Sequence, residues 1–201
     1  MLTRMLHWIV ALPWVYDLVQ KLAGRDRNYA RLAPLIAQAR GGTLLDVGAG
    51  TGELQRIVPP DTTYIWLDND PQKLSGFQKK SGSPWALLGE TNQMGLRDKS
   101  VDIAVCACVS HHLTDTQLGT TLREMARVCR MRLVFLDPIR VDHSATSKLL
   151  WKYDRGSFPR RREALRSAIE QYFEIEHEEG FSIYHHYWLC TGKPKASAAW
   201  A

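Results

Sequence analysis

Thr43-Leu44-Leu45-Asp46-Val47-Gly48-Ala49-Gly50-Thr51-Gly52 reads as a short apolar strand that runs straight into a bend with three glycines. A helical stretch follows from Glu53 until Pro59-Pro60 stops it. Glycine has no Cβ, so such a bend can adopt left-handed backbone angles and let a ligand lie against its peptide groups, beside a helix start with free N–H donors. The glycines fall at 48, 50 and 52, whereas a dinucleotide cradle needs G-x-G-x-x-G, and Glu53 holds the sixth position here. A diphosphate is therefore disfavoured: an anionic side chain beside the bend repels it and suits a cationic ligand instead.

Working outward, the same unit recurs. Thr63 to Leu67 forms a second apolar run that ends at Asp68, and Pro71-Gln72-Lys73-Leu74-Ser75-Gly76-Phe77-Gln78-Lys79-Lys80 then reads as a surface helix. Asp68 lies about 20 residues past the first glycine, the spacing at which a carboxylate accepts hydrogen bonds from ribose hydroxyls; it could also cap the helix that begins at Pro71. A weak strand around 85–88 precedes a strong one, VDIAVCACV over 101–109, whose near-continuous apolar character suits a parallel strand buried on both faces. Leu118, Leu122, Met125, Ala126 and Cys129 give helical spacing over 116–129, and MRLVFLD over 131–137 is a further buried strand. Upstream, Tyr29, Leu32, Leu35, Ile36 and Ala39 mark a helix over 26–40 that Gly41-Gly42 ends. Beyond Asp137-Pro138 the pattern loosens through Ser157. A helix over 161–172 then leads into two strands, turned at Glu179-Gly180. Alternating strands and helices predict an α/β fold, a doubly wound and mostly parallel sheet that ends in an antiparallel hairpin.

The chain has 201 residues, enough for one core and cramped for two. One domain over 1–201 is expected: a helical cap over 1–40, a ligand-binding core over 41–138, and an acceptor-side cap with the terminal strands over 139–195. Lys and Arg outnumber Asp and Glu by 26 to 21, a net charge of +5, which permits an anionic partner without requiring one. Arg160-Arg161-Arg162 reads as a solvated helix face, with a phosphate-binding patch as the alternative. Cys106, Cys108, Cys129 and Cys190 include no CxxC pair, so zinc is not expected; they read as small buried hydrophobes of a reducing compartment, the cytoplasm. Met1 to Tyr16 is apolar but too short to span a bilayer, and Pro13 interrupts it. It reads as a helix packed over the ligand site or, alternatively, as a Trp-bearing helix in peripheral contact with a membrane surface.

Taken together, the strand, the bend 46–52, the acidic strand end at 68 and the segment Met94-Gly95-Leu96-Arg97-Asp98-Lys99-Ser100-Val101-Asp102-Ile103-Ala104-Val105, with Val109-Ser110-His111-His112-Leu113 after it, resemble the class I S-adenosylmethionine-dependent methyltransferases. The likeness runs from about Leu44 to Pro138 and is nearest to the small-molecule group with its type 11 pattern. It implies a Rossmann-like sheet with S-adenosylmethionine as cofactor and a small-molecule methyl acceptor as partner. It also implies that Gly48, Ala49, Gly50 and Gly52 line the methionine part, that Asp68 and Asn69 take the ribose, and that Glu90 and Thr91 meet the adenine edge. Glu90 departs from the usual Asp, and the Pro-Gly turn expected before the fifth strand is replaced by Cys129-Arg130-Met131. Asp46 can hold the cofactor's ammonium group, directly or through water. Tyr16 resembles the tyrosine of an entry segment that closes over the cofactor, or it is an aromatic staple for the first helix.

Methyl transfer from a sulfonium requires alignment and exclusion of water, and needs a general base only when the acceptor must lose a proton. His111 and His112 stand just past the fourth strand, on the edge where open α/β sheets bind ligands, and are candidates for that base as well as for local packing. His185, His186 and Tyr187 form a second cluster in which alternation sends the two histidines to opposite faces; Tyr153 and Asp154 are further acceptor-side candidates. Nucleic acid is a disfavoured acceptor, because the strand end that would carry an Asn-Pro-Pro-Tyr-like motif reads Val109-Ser110-His111-His112. A lipid methyltransferase, a nucleotide-binding reductase and a non-catalytic S-adenosylmethionine-binding protein remain the other readings.

Overall fold

The computed structural model describes residues 24–81, 83, 85–142, 151 and 158–196. Tyr16 with the whole apolar N-terminal stretch, and Tyr153 with Asp154, lie outside the described residues.

Seven strands form one sheet in the order β3-β2-β1-β4-β5-β7-β6. They are β1 (Thr43–Val47), β2 (Thr63–Asp68), β3 (Ala86–Leu88), β4 (Val101–Ala107), β5 (Cys129–Ile139), β6 (Phe173–Ser182) and β7 (His186–Pro194). The first five pair in parallel, and β7 runs antiparallel between β5 and β6. Helices α1 (Arg25–Ile36), α2 (Pro71–Ser81), α3 (Asp115–Val128) and α4 (Arg162–Glu170) cover the two faces. Side-chain alternation in the strands sorts the core. Leu44, Ile103 and Val105 pack with Leu32 and Ile36 of α1 and Phe77 of α2. Leu45, Ala104 and Cys106 pack with Leu118, Leu122 and Met125 of α3 and with Leu165 and Ile169 of α4. Each such side chain, once fully buried, contributes about 1.5–3 kcal/mol relative to exposure.

Three local expectations fail, each for a physical reason. The stretch after the glycine bend is a single 3₁₀ turn, Glu53–Ile57, and not an α-helix. Its first residue is already fixed by ion pairs to Arg25, Arg56 and Lys80, and Pro59-Pro60 leave no room to continue. Cys108 is exposed rather than buried. β4 ends one residue earlier, and Cys108 takes φ 58° while its N–H donates to Leu136 O at 2.7 Å, so the strand alternation does not extend to it. Glu179 and Gly180 are not the hairpin turn; they pair with Leu189 and Trp188 inside the ladder. β7 must reach His186 to pair with Ile139 of β5, so the turn falls at 183–185, closed by Ile183 N–H to His185 O at 3.0 Å. The Pro-Gly turn missing before β5 is not needed: β5 follows α3 directly, and Lys99 Nζ donates to the helix-end carbonyl of Ala126 (2.9 Å) and to Cys129 O (3.0 Å).

Candidate active site

The glycine bend sits at the carboxyl edge of β1, held by its neighbours on β2. Gly48 and Ala49 both donate their N–H to Leu67 O (2.8 and 2.9 Å), Gly50 N–H donates to Asp68 Oδ2 (2.8 Å) and Gly52 N–H to Ala49 O (2.9 Å). Trp66 Nε1–H donates to Gly50 O (3.0 Å), and its ring stacks on Phe77 at 5.6 Å. The expected free amide donors are thus engaged within the protein, which removes the usual means of holding a diphosphate. Gly52 has φ 73°, and a Cβ there would stand 2.3 Å from the Phe77 ring; at Gly48 it would meet Val109. At Gly50, φ 57°, a Cβ would meet no atom within 4 Å among the described residues. Among the described residues the bend is therefore close-packed behind and open in front, a cradle that fits a ligand binding through contact and charge.

Charge comes from Asp46, 4% exposed at the end of β1. The Tyr64 hydroxyl donates to its Oδ2 at 2.5 Å. Burial pushes the Asp46 carboxyl up to about 7; the Tyr64 hydrogen bond opposes this rise and the Asp68 charge adds to it. Such a carboxyl favours a cation close by. Glu53 does not supply the charge that repels diphosphate: burial works to raise its pKa, yet Lys80, Arg56 and Arg25 hold it below the ordinary carboxylate range, and its charge is spent on them.

Along the edges of β2 and β3 the remaining expected residues come together. Asp68 is 4% exposed; its Oδ1 accepts from Asp70 N–H (3.0 Å), and Lys73 Nζ lies 3.4 Å from both oxygens. The cap of α2 is Asp70, whose Oδ1 accepts from Gln72 N–H at 2.8 Å, so Asp68 is not used as a cap. Asn69 Nδ2 donates to Glu90 Oε1 (3.1 Å), joining two residues 21 apart in sequence. Thr91 shares a 2.9 Å hydroxyl contact with Thr121 of α3. Sequence reading missed the support below them: Arg127 of α3 donates to Leu96 O (2.8 Å) and Met94 O (3.1 Å), and Glu124 accepts from Met94 N–H (2.9 Å).

Past β4 the chain turns through Ser110–His112. His111 is 5% exposed, and its Nδ1 stands 2.5 Å from Oδ1 of Asp137, a β5 residue with no exposure at all. Asp137 Oδ2 accepts from Ser110 N–H at 2.6 Å. A carboxylate accepts, so this bond assigns a proton of His111 to Nδ1. His112 is exposed beside it, ring centroids 4.1 Å apart. Trp151 lies edge-on to His111 (5.8 Å) and to His185 (5.0 Å), and His185 lies edge-on to Tyr187 (6.2 Å). The hairpin histidines divide: His185, in the turn and so outside the strand alternation, is buried with this group, while His186 at the start of β7 shares a 2.8 Å contact with Ser182 Oγ. Asp137 is the functional candidate that sequence reading passed over; its one signal was a carboxylate at the end of an otherwise apolar strand. Among the described residues no group of three or more His, Cys, Asp or Glu side chains is placed to hold a metal. No helix among them is long and apolar enough to cross a membrane.

A methyltransferase domain model matches residues 45–134, from the first strand through the His turn into β5. An uncharacterized methyltransferase of Geobacillus sp. (strain WCH70) is 24% identical over 148 residues, 68% of this chain and 70% of that protein. Among solved structures, magnesium protoporphyrin IX methyltransferase of Synechocystis PCC 6803 with bound SAH superposes with a TM-score of 0.73 at 15% identity, over 88% of this chain and 87% of that one. A protein of Pyrococcus horikoshii OT3 gives 0.69 at 17% identity, over 85% and 91%. The methyltransferase domain matched over residues 45–134, with the sheet order and the glycine bend after β1, supports reading this chain as an S-adenosylmethionine-dependent methyltransferase.

Proposed function

We propose that the enzyme methylates a small-molecule acceptor by in-line displacement, with His111 as the general base. The observation that carries this reading is the buried Asp137–His111 pair, beside the exposed His112 and the ring of Trp151. Bound S-adenosylmethionine supplies an electrophilic methyl group on a sulfonium. The chain's own residues then have separate tasks. Asp46 receives the cofactor's ammonium; Gly48, Ala49, Gly50 and Gly52 lie against its methionine part. Asp68, which has lone pairs left after its two backbone bonds, accepts from the ribose hydroxyls with Asn69 beside it. Glu90 and Thr91 border the adenine. Asp137 orients the imidazole so that Nε2 can take the acceptor's proton, the role a base needs when a hydroxyl or a carbon acid is methylated. The acceptor-side surface is aromatic and imidazole-rich, and one structural relative is named for a small-molecule substrate, magnesium protoporphyrin IX.

The same reading takes residues 1–201 as one catalytic domain, since a single sheet runs from β1 to β7. It places the enzyme in the cytoplasm, a reducing compartment that suits a chain whose cysteines form no CxxC pair. The test is to incubate the protein with methyl-labelled S-adenosylmethionine and a metabolite extract and to identify the labelled product. A small molecule is expected, formed about 10²–10⁴-fold more slowly by His111→Gln while cofactor affinity stays within about twofold. Label found on RNA or lipid, or an unchanged rate in the variant, overturns the corresponding half of the proposal.

A further inference from the structure

Arg160 was expected on a solvated face, yet its side chain is 9% exposed and lies against the turn that carries His111. Its Nη1 donates to Ser110 O (2.7 Å) and its Nη2 to Leu113 O (2.6 Å), the carbonyls that bracket the two histidines. Phe158 N–H donates to the carbonyl between them, His111 O, at 3.0 Å, and Arg140 N–H to Arg160 O at 2.7 Å, so the clamp is anchored to the end of β5. Nε donates to Asp115 Oδ1 at 2.8 Å, but that carboxylate is 94% exposed, so the ion pair alone gives little reason for the side chain to be buried. The placement also has an electrostatic cost: a guanidinium beside the first turn of α3 opposes the positive end of that helix. Its planar fork can reach two carbonyls at once, which a lysine ammonium on a flexible stem cannot do with the same rigidity.

The His turn is thus held from two sides. Asp137 grips it from the sheet through Ser110 N–H and the imidazole Nδ1; Arg160 and Phe158 grip its carbonyls from the acceptor side. The two grips control different things. Asp137 selects the tautomer, while the carbonyl clamp sets where the ring stands. We infer that Arg160 is a positioning residue for His111, fixing the site of Nε2 relative to the methyl-transfer centre. This rests on the proposed role of His111, but the experiment reads the ring directly and needs no acceptor.

Imidazole nitrogen NMR on ¹⁵N-histidine-labelled protein saturated with S-adenosylhomocysteine gives the readout, with the His111 signals assigned by their loss in His111→Gln. In the wild type a single sharp set of the Nδ1–H tautomer is expected. In Arg160→Gln the same tautomer pattern should persist while the His111 signals broaden or split; Arg160→Lys should lie between, and free guanidinium should restore the sharp set in Arg160→Ala. Affinity for S-adenosylmethionine, measured by calorimetry, should stay within about twofold, because the clamp touches none of the residues assigned to the cofactor. His111 signals identical to wild type in Arg160→Gln overturn the inference. So does a loss of cofactor affinity and melting temperature that guanidinium fails to reverse, which marks Arg160 as a structural tether only. Neither result depends on whether His111 later proves to be the base.

Discussion

Asp46 shows how one buried carboxyl links folding to ligand charge. Burial lifts it to about 7 against a usual 3.8, so the folded protein binds this proton more tightly than the unfolded chain does. The stability it contributes is therefore complete below about pH 4 and is lost as the pH rises through about 7. Asp46→Asn removes this term, and its unfolding free energy should be flatter than the wild type's between about pH 5 and pH 8, read by denaturant titrations at stepped pH. In the proposed pose the cofactor's ammonium selects the ionised carboxyl. Binding near pH 6 should then release a proton, seen as a buffer-dependent heat in calorimetry; binding with no proton exchange would take Asp46 out of contact with the ammonium. Asp46, Asp68 and the glycines were legible as candidates because each sits at a strand end or in the bend beyond it. Tyr64, which bonds Asp46, was not: a tyrosine in an apolar strand looks the same whether its hydroxyl meets solvent or a carboxylate.

The bend 48–52 shows what spacing conveys and what it leaves out. Three alternating glycines fitted neither a dinucleotide cradle nor an ordinary turn, and that much followed from the letters alone. The division of labour among them did not. Gly52→Ala puts a Cβ against the Phe77 ring in a left-handed residue, so it should lower the melting temperature and weaken the cofactor together. Gly50→Ala meets no atom of the described residues. It should keep the fold at a cost of about 1 kcal/mol while still weakening cofactor binding, which differential scanning fluorimetry with and without S-adenosylmethionine separates. Equal losses of stability in the two variants would show that the open face is not where the ligand lies. The hairpin is the converse case. Glu-Gly is a common turn signal, but the ladder with β5 required β7 to extend to His186, and the long-range pairing outweighed the local preference.

Across the whole chain, the antiparallel pair β6–β7 closes the sheet over β5, and Trp188 is its main anchor. The side chain is fully buried, lies 6.1 Å from the Phe135 ring, and donates from Nε1 to Glu178 Oε2 at 3.1 Å. Trp188→Ala should cost about 3–5 kcal/mol, a fall in melting temperature of about 6–20 °C for a chain of this length, measurable by calorimetry. A shift below about 2 °C would mean that the hairpin contributes little to the cooperative unit. Apolar periodicity announced the alternating strands and helices, the parallel core and an antiparallel ending, because each element must present a face with its own repeat to one shared interior. Chemical letters at strand ends marked the carboxylates proposed for the cofactor. Only the folded chain could bring Asp137 to His111 across 26 positions, Asn69 to Glu90 across 21, and Arg160 to Ser110 across 50. Those partners share no spacing rule: hydrogen bonds between distant segments depend on which strand lies beside which, and that order is settled by packing, not by neighbours along the chain.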